Sequence, residues 1–371
     1  MLDSFLDIGL FVLILIFLVV VHEMGHMVVA KWCGMKVERF SVFMGRPLVS
    51  FTRGETEYGV GWLPLGGYVK ITGMTREEDV APEDEARTYY NASTPRKIAT
   101  IFAGPGVNFI VAFLAFVAIA WIGIPNAQLT NEVALLVKPV DQTTQTPAEQ
   151  AGLMAGDVLI SANGVQAKPG DLDAFREQIT ANPGTPIELV YARDQERFTR
   201  SVAPALDDES QEGRLGFIFQ VERLPGRTQE DVFGGIDYGW DRLTLLTEGY
   251  VDLFRRLATE EEARRQVNSV VGAGAIFDVI ADDGWLTILL FLGGISFALA
   301  FFNLLPVLPL DGGHIVIALV ERVIGRPLPA RAYSAIAFVG LAVIMLAFLY
   351  ILQNDISLIR GGNIAEELQN R

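Results

Sequence analysis

The residues best suited to chemistry lie near the start of the chain, in the segment His22-Glu23-Met24-Gly25-His26. On a helix, positions i and i+4 share a face, so both imidazoles can bind one metal ion. Glu23 can take a proton from a water molecule that the metal activates. The alternative interpretation is a pair of ordinary histidines on a helix face. Because the motif lies within an apolar segment, where ionisable side chains are costly and are normally retained for function, we expect a zinc site.

A third protein ligand is needed, because catalytic zinc takes three and leaves a fourth position for water. The candidates follow a double-proline segment, in which Pro306 and Pro309 remove helical N–H groups. The backbone should unwind there, which at membrane depth is tolerated only inside protein or beside a wet cavity. Asp311 and His314 are both possible ligands. Side-chain chemistry alone slightly favours His314, and Asp311 could instead cap the helix that follows.

Apolar segments are the elements that must hold these residues. Of the 371 residues, 51% are hydrophobic and 20% are charged, and the mean hydropathy is +0.34, which favours an integral membrane protein. Four blocks are long and apolar enough to span a bilayer, approximately residues 8–30, 98–124, 286–305 and 333–352. The expected fold is therefore a polytopic α-helical membrane protein with about four transmembrane helices.

The orientation of the chain follows from its basic residues. The loop between the first two blocks contains Lys31, Lys36, Arg39, Arg46, Arg53, Lys70, Arg76, Arg87, Arg96 and Lys97. Loops rich in Lys and Arg remain in the cytoplasm, so residues 125–284 are expected outside. His22 lies about 14 residues into the first block, or ~21 Å at ~1.5 Å per residue. In a ~30 Å hydrocarbon core this depth places the site inside the membrane, nearer the cytoplasmic face.

Charge and cysteine content exclude some classes of protein. The chain has 29 Lys and Arg residues against 44 Asp and Glu residues, a net charge of −15. This balance argues against nucleic acid as the main partner, because no basic face should dominate. Cys33 is the one cysteine of the sequence, which excludes a disulfide scaffold.

The outer region is predicted to begin with a β-rich domain. Residues 146–164 are similar to the core of PDZ domains, with a short helix, a strand and an Asn-Gly hairpin turn. Residues 213–217 look like the glycine loop with which such domains hold a peptide carboxylate through backbone N–H groups. The alternative is a small β-rich domain without a ligand. The predicted divisions are a first membrane half over 1–125, a PDZ-like domain over 126–222, a helical connector over 223–284 and a second membrane half over 285–371.

Two motifs together resemble the site-2 protease family of intramembrane zinc proteases: the HExxH segment of the first block and Leu310-Asp311-Gly312 after the third. The PDZ-like insertion narrows the resemblance to the bacterial RseP-like branch, and it covers nearly the whole chain. It implies that His22 and His26 bind Zn²⁺, that Asp311 is the third ligand and that Glu23 is the catalytic base.

The resemblance also implies residues that hold substrate. Asn303 matches a family position of this kind, and Asn108 ends a segment that resembles the family's GPxxN element beside the active site. The alternative for this segment is close helix packing through small residues. The strands over residues 57–71, including Gly67 and Tyr68, resemble a membrane-associated β element whose edge pairs with extended substrate.

The function implied is an endopeptidase of the bacterial inner membrane. It would cut transmembrane segments of single-span proteins, such as anti-sigma factors or remnant signal peptides. Two features depart from the family pattern: one PDZ-like copy is visible where some members have two, and residues 268–274 stand where many relatives have a Gly-Pro pair. The rival hypotheses are a membrane PDZ scaffold that binds peptides without cutting them, and a metal transporter. A transporter would need further acidic or histidine positions along the spans.

Overall fold

The computed structural model describes residues 2–64, 66–74, 78–136, 145–207, 211–259 and 284–360. Part of the predicted connector, including residues 268–274, and the end of the chain from residue 361 lie outside the described residues, as do Arg76 and Leu65. The chain divides into two compact units. One is formed mainly by residues 2–122, Glu230–Arg256 and residues 284–355, and the other mainly by Gly123–Gln229.

Helices and strands are interspersed as far as residue 228, and the described elements after that residue are all helices. The helices are α1 Leu2–Trp32, α2 Thr94–Ile122, α3 Pro147–Gln150, α4 Asp173–Thr180, α5 Val232–Thr259, α6 Trp285–Asn303, α7 Asp311–Ile324 and α8 Ala330–Arg360. The strands are β1 Val37–Ser41, β2 Met44–Arg53, β3 Thr56–Leu63, β4 Tyr68–Ile71, β5 Ile124–Leu136, β6 Val158–Ala162, β7 Val165–Gln166, β8 Ile187–Arg193, β9 Glu196–Val202, β10 Ala205–Leu206, β11 Gly213–Arg214 and β12 Phe217–Thr228.

Three of the described helices are long and apolar enough to cross a membrane, over Gly9–Trp32, Thr94–Ile122 and Ala330–Leu349. Helix α6 has 19 residues, of which Ile288–Asn303 form a shorter apolar stretch. The chain is thus a membrane protein with an inserted β-rich region. Helix α5 is more polar and packs on α6 through the rings of Tyr250 and Phe297, whose centroids lie 5.8 Å apart.

Helix α2 lies at the centre of the helical unit and contacts α1, α6 and α7. Phe11, Ile14 and Leu18 of α1 are buried in one apolar cluster with residues of α2 and α6. Gly25, inside the HExxH segment, lets α1 approach α2 closely, because a Cβ atom there would lie 2.5 Å from the carbonyl oxygen of Ala103. The small residue therefore brings the metal-binding motif against the backbone of α2.

The loop between α1 and α2 forms a four-stranded sheet in the order β2-β3-β1-β4. Strands β3 and β4 coincide with the strands predicted over residues 57–71. Strand β1 pairs with β3 in parallel and with β4 in antiparallel orientation. Among the described strands, β4 therefore has one free edge. The other end of the sheet carries exposed apolar side chains, including Leu48 and Phe51 on β2.

The second unit is a β-rich domain with its own core. Its main sheet has the order β12-β5-β6-β8-β9, with β7 paired to β6. Phe175 of α4 and Leu189 and Tyr191 of β8 are buried in its apolar cluster. Asn163 and Gly164 have positive φ angles of 47° and 79°, as the predicted hairpin turn requires. Strand β12 runs to Thr228, so the helical part of the connector begins at Val232 rather than at residue 223.

Candidate metal centre

Three side chains from opposite ends of the chain converge beside α2. His22 and His26 lie one turn apart on α1, and Asp311 is the first residue of α7. The Nε2 atom of His22 lies 3.1 Å from Oδ2 of Asp311 and 3.2 Å from Nε2 of His26. The distance from His26 Nε2 to the same carboxylate oxygen is 3.4 Å. Among the described residues, these three form the group whose ligand atoms lie close enough together to hold a metal ion.

The spacing of the three donor atoms fits zinc. With bonds of ~2.1 Å to nitrogen and oxygen, a tetrahedral ion requires its ligand atoms to be ~3.4 Å apart, close to all three observed distances. Two imidazoles and one carboxylate also form a donor set that zinc takes in catalytic sites. Gly104 of α2 leaves the space that this site needs, because a Cβ atom there would lie 2.8 Å from His22 Nε2 and closer still to the ring of His26.

Helix α2 also provides polar partners for the outer nitrogens of both rings. The Nδ1–H group of His26 donates to the carbonyl oxygen of Thr100 at 2.9 Å. The Nδ1 atom of His22 lies 3.3 Å from Nδ2 of Asn108. Pro105 stands between these positions and lacks the N–H group that would bind the Ile101 carbonyl, which opens the helix backbone at this turn. Both rings are therefore held with Nε2 facing the cluster.

Glu23 faces the β sheet. A Cβ atom on Gly67 would lie 3.1 Å from Cγ of Glu23, and the backbone of Val69 interacts favourably with the Glu23 carboxylate. Strand β4 and the residue before it thus lie directly against the predicted base. Strand β4 is also an end strand of its sheet.

Asp311 lies at the histidines and does not cap a helix. Helix α7 begins at Asp311 itself, and its N-cap residue, Leu310, makes no side-chain capping bond. The interpretation of Asp311 as a cap for a helix beginning at His314 was therefore wrong. Gly312 and Gly313 follow, and a Cβ atom on either would clash with the backbone of the unwound segment, at Leu304 and Val307 respectively. The glycines let that segment fold back over the start of α7.

His314 is directed away from the other two histidines. Its Nδ1 atom accepts a hydrogen bond from the hydroxyl of Tyr333, at 3.0 Å. Its ring lines a cavity of about 340 Å³, together with residues from the start of α2 and α8. Of the two candidate third ligands, the structure brings Asp311 to the pair on α1 and leaves His314 with Tyr333.

The four predicted substrate-binding residues have different neighbours in the structure. Asn303 donates from its amide to the Leu299 carbonyl of its own helix at 2.9 Å. The Tyr68 hydroxyl accepts a hydrogen bond from Arg39 at 3.1 Å. Gly67 is buried beside Glu23, and Asn108 has no exposed surface. Thr100 was missed altogether, because it acts through its backbone carbonyl, which no side-chain pattern reports.

Comparison with known proteins places the whole chain in one family. Residues 10–347 match the model of peptidase family M50. A putative zinc metalloprotease of Clostridium perfringens is 32% identical over 330 residues, which cover 88% of this chain and 92% of that protein. Zinc metalloprotease Rip1 of Mycobacterium tuberculosis is 32% identical over 364 residues, with 89% of each chain covered. The chain therefore belongs to peptidase family M50, the site-2 protease family, and is an intramembrane zinc metalloprotease with several membrane-spanning helices.

Proposed function

We propose that this protease is an endopeptidase that cuts the transmembrane segments of single-span membrane proteins, with zinc held by His22, His26 and Asp311. The observation that carries the proposal is the convergence of these three side chains within 3.4 Å of one another. A PDZ scaffold that only binds peptides needs no such cluster, and a metal transporter would need a series of sites instead. Glu23, one residue from the first ligand, is positioned between the metal cluster and the β sheet.

The chemistry divides between the metal and the chain. When bound, zinc polarises the scissile carbonyl and lowers the pKa of water to about 7. The Glu23 carboxylate takes a proton from the attacking water and transfers it to the leaving amine. Burial of His22 and His26, which are 7% and 8% exposed, keeps lipid and bulk water away from both ligands. Thr100 holds the His26 ring in position through its carbonyl.

The free edge of β4 is the proposed site for the substrate backbone. A transmembrane helix hides its peptide groups in its own hydrogen bonds, so it must unwind before it can be cut. An edge strand offers unpaired N–H and C=O groups that can replace those bonds. Gly67 has no side chain, which lets the start of this edge lie close to Glu23: a Cβ atom there would be 2.9 Å from the Ser41 carbonyl oxygen and 3.1 Å from Cγ of Glu23. Asn303, at the end of α6 and before the unwound segment, is the proposed side-chain contact.

The second unit is the proposed filter for substrates. Its strand β12 is an edge of the main sheet, and residues 213–217, which run from β11 to the first residue of β12, are the proposed loop for a peptide carboxylate. We place this unit outside the cytoplasm, on the strength of the basic loop after α1, with α6 as the fourth span in a bacterial inner membrane. Its substrates would be proteins already trimmed outside, such as anti-sigma factors, or remnant signal peptides.

The test separates the base from the ligands. Glu23→Gln keeps the shape of the side chain and removes its charge, so bound zinc should remain near one per chain while cleavage of a membrane substrate in detergent is lost. His22→Phe should lose both zinc and cleavage, because two remaining ligands hold zinc poorly. Metal analysis by mass spectrometry and a cleavage assay measure the two effects. Appreciable cleavage by Glu23→Gln would rule out the proposed base.

A further inference from the structure

Asn108 is a buried polar residue whose side chain has one partner. It lies one turn after Gly104, so both residues occupy the face of α2 that meets the two histidines. Its exposed surface is 0%, and its Nδ2 atom lies 3.3 Å from Nδ1 of His22. The other amide atom, Oδ1, is buried and has no hydrogen-bond partner among the described residues. Burying an amide is unfavourable without such partners, so contact with His22 is the interaction that explains this residue.

The chemistry of His22 defines what this partner must do. Its Nε2 atom faces His26 and Asp311, so that nitrogen must be free of a proton to bind a metal. The proton of the neutral ring is then on Nδ1, which needs an acceptor. An amide presents an oxygen or a nitrogen to the same point after a half-turn about its last bond. With Oδ1 turned towards the ring, Asn108 accepts the Nδ1–H bond and fixes both the tautomer and the orientation of His22.

We infer that Asn108 is a positioning residue for the metal ligand His22, rather than a substrate contact. The inference rests on the zinc site proposed above. Complete burial speaks against direct contact with a substrate, and the matching contact at His26, where Nδ1–H donates to the Thr100 carbonyl, shows the same arrangement. Outer partners of this kind typically change metal affinity by about 10–100-fold when they are removed.

The experiment compares three variants of the full-length protein in detergent. Asn108→Leu keeps the approximate volume and removes the acceptor, and we expect zinc to bind ~10–100-fold more weakly in competition with a chelator. Asn108→Asp restores an acceptor and should return the affinity to near that of the parent. Ser296→Ala is the matched control: its hydroxyl donates to the backbone carbonyl of Asn108 at 2.8 Å, but it does not touch His22. Its zinc affinity should stay within about twofold of the parent.

The outcomes distinguish this inference from the proposed function. Unchanged zinc affinity in Asn108→Leu, with zinc lost in His22→Phe, would overturn the positioning role and leave the metal site standing. Zinc retained by His22→Phe would overturn the site itself. If Asn108→Asp binds zinc as weakly as Asn108→Leu, the residue donates to the ring and the inference fails. The visible spectrum of the cobalt-substituted protein provides a second measure. A change in the geometry of His22 shifts the absorption bands of the cobalt ion. A general loss of packing lowers only the melting temperature of the metal-free chain.

Discussion

The choice between Asp311 and His314 is decided by the direction of two side chains on one helix. They are three residues apart at the start of α7, but the Asp311 carboxylate meets His22 and the His314 ring meets Tyr333. Asp311→Asn should therefore bind well under one zinc per chain, because a neutral amide oxygen is a poorer ligand than a carboxylate. His314→Asn is the control and should keep most of its zinc. Metal analysis showing the reverse order would identify His314 as the third ligand.

Gly104 tests whether the candidate metal centre needs the space that a missing side chain leaves beside the two histidines. A Cβ atom at this position would meet the ring nitrogens of both histidines. Gly104→Ala should therefore reduce both zinc content and cleavage, although alanine favours a helix. Gly106→Ala, two residues further along α2, is the matched control, since its nearest new contact is the Phe102 ring at 3.3 Å. Equal zinc in the two variants would show that the site tolerates a methyl group here.

At the residue scale, the sequence predicted the pairing of His22 and His26 and offered Asp311 as one of two further members of the candidate metal centre. Two histidines four apart must share a helix face, so their pairing follows from helix geometry alone. Side-chain chemistry left two candidates for the third ligand, Asp311 and His314. The choice between them depends on how α7 is rotated about its axis, which the path of the preceding unwound segment determines. The contact between Asn108 and His22 spans 86 positions and was interpreted from the sequence as a substrate contact. Nothing in the local pattern around Asn108 indicates which helix it meets.

At the scale of elements, an ion pair holds the edge strand in place. Lys70 of β4 lies 2.6 Å from Glu38 of β1. Burial raises the pKa of Glu38, but the hydrogen bonds from Lys70 and Thr72 outweigh it and hold the pKa below its ordinary value of 4.5. A lowered pKa means that the pair stabilises the fold above about pH 4.5 and that this contribution is lost as the pH falls through the lower, folded-state value.

Glu38→Gln tests this pair. The variant should be less stable than the parent at pH 7 by about 0.5 kcal/mol, the size typical of a partly exposed pair. The difference should shrink as the pH falls below about 4.5 and disappear below the lowered folded-state pKa, where the parent's carboxyl is also neutral. Melting temperatures of both proteins, measured at each pH, provide the comparison, and acid effects on the metal site cancel in the difference. A gap that persists at low pH would mean that packing, not charge, is responsible.

Helix α8 lies against the unwound segment at Gly340. A Cβ atom there would clash with the carbonyl oxygen of Leu308, three residues before Asp311. We expect Gly340→Ala to displace this segment and to lower zinc content, even though residue 340 lies far from the metal site in the sequence. Gly294→Ala on α6, where a Cβ atom meets no atom within 4 Å, should leave zinc unchanged. Metal content of the two purified variants is the measurement.

Two of the strands that the sequence missed, β5 and β12, have partners that are distant in the chain. Helices α1, α2 and α8 coincide with apolar blocks, because length and hydropathy are local properties. Strands β5 and β12 pair Leu136 with Phe217, about 80 residues apart, so neither strand is visible without the other. Residues 223–228 were assigned to a helical connector, although they continue β12. Pro225 and Gly226 weaken the strand pattern at that point.

At the scale of the whole molecule, the candidate metal site belongs entirely to the helical unit. His22 and Asp311, two of its three proposed ligands, are 289 positions apart in the sequence and meet because α1 and α7 both pack on α2. The chain leaves this unit at Ile122 and returns at Glu230, whose N–H group donates to the Ala120 carbonyl at 3.1 Å. The chain therefore leaves the helical unit and re-enters it at neighbouring positions, which a short linker can join.

Excision of Gly123–Gln229, with a short glycine linker in its place, follows from this geometry. Zinc should remain near one per chain, because no proposed ligand lies in the removed segment and the packing around α2 is kept. If the β-rich unit excludes bulky substrates, the shortened protein should cut untrimmed membrane proteins faster than the parent, while trimmed substrates are cut at similar rates. The same excision combined with Glu23→Gln controls for other proteases. Loss of zinc would show that the inserted unit supports the helical fold, whereas unchanged preference for trimmed substrates would place the selection of substrates within the membrane, at β4 and Asn303.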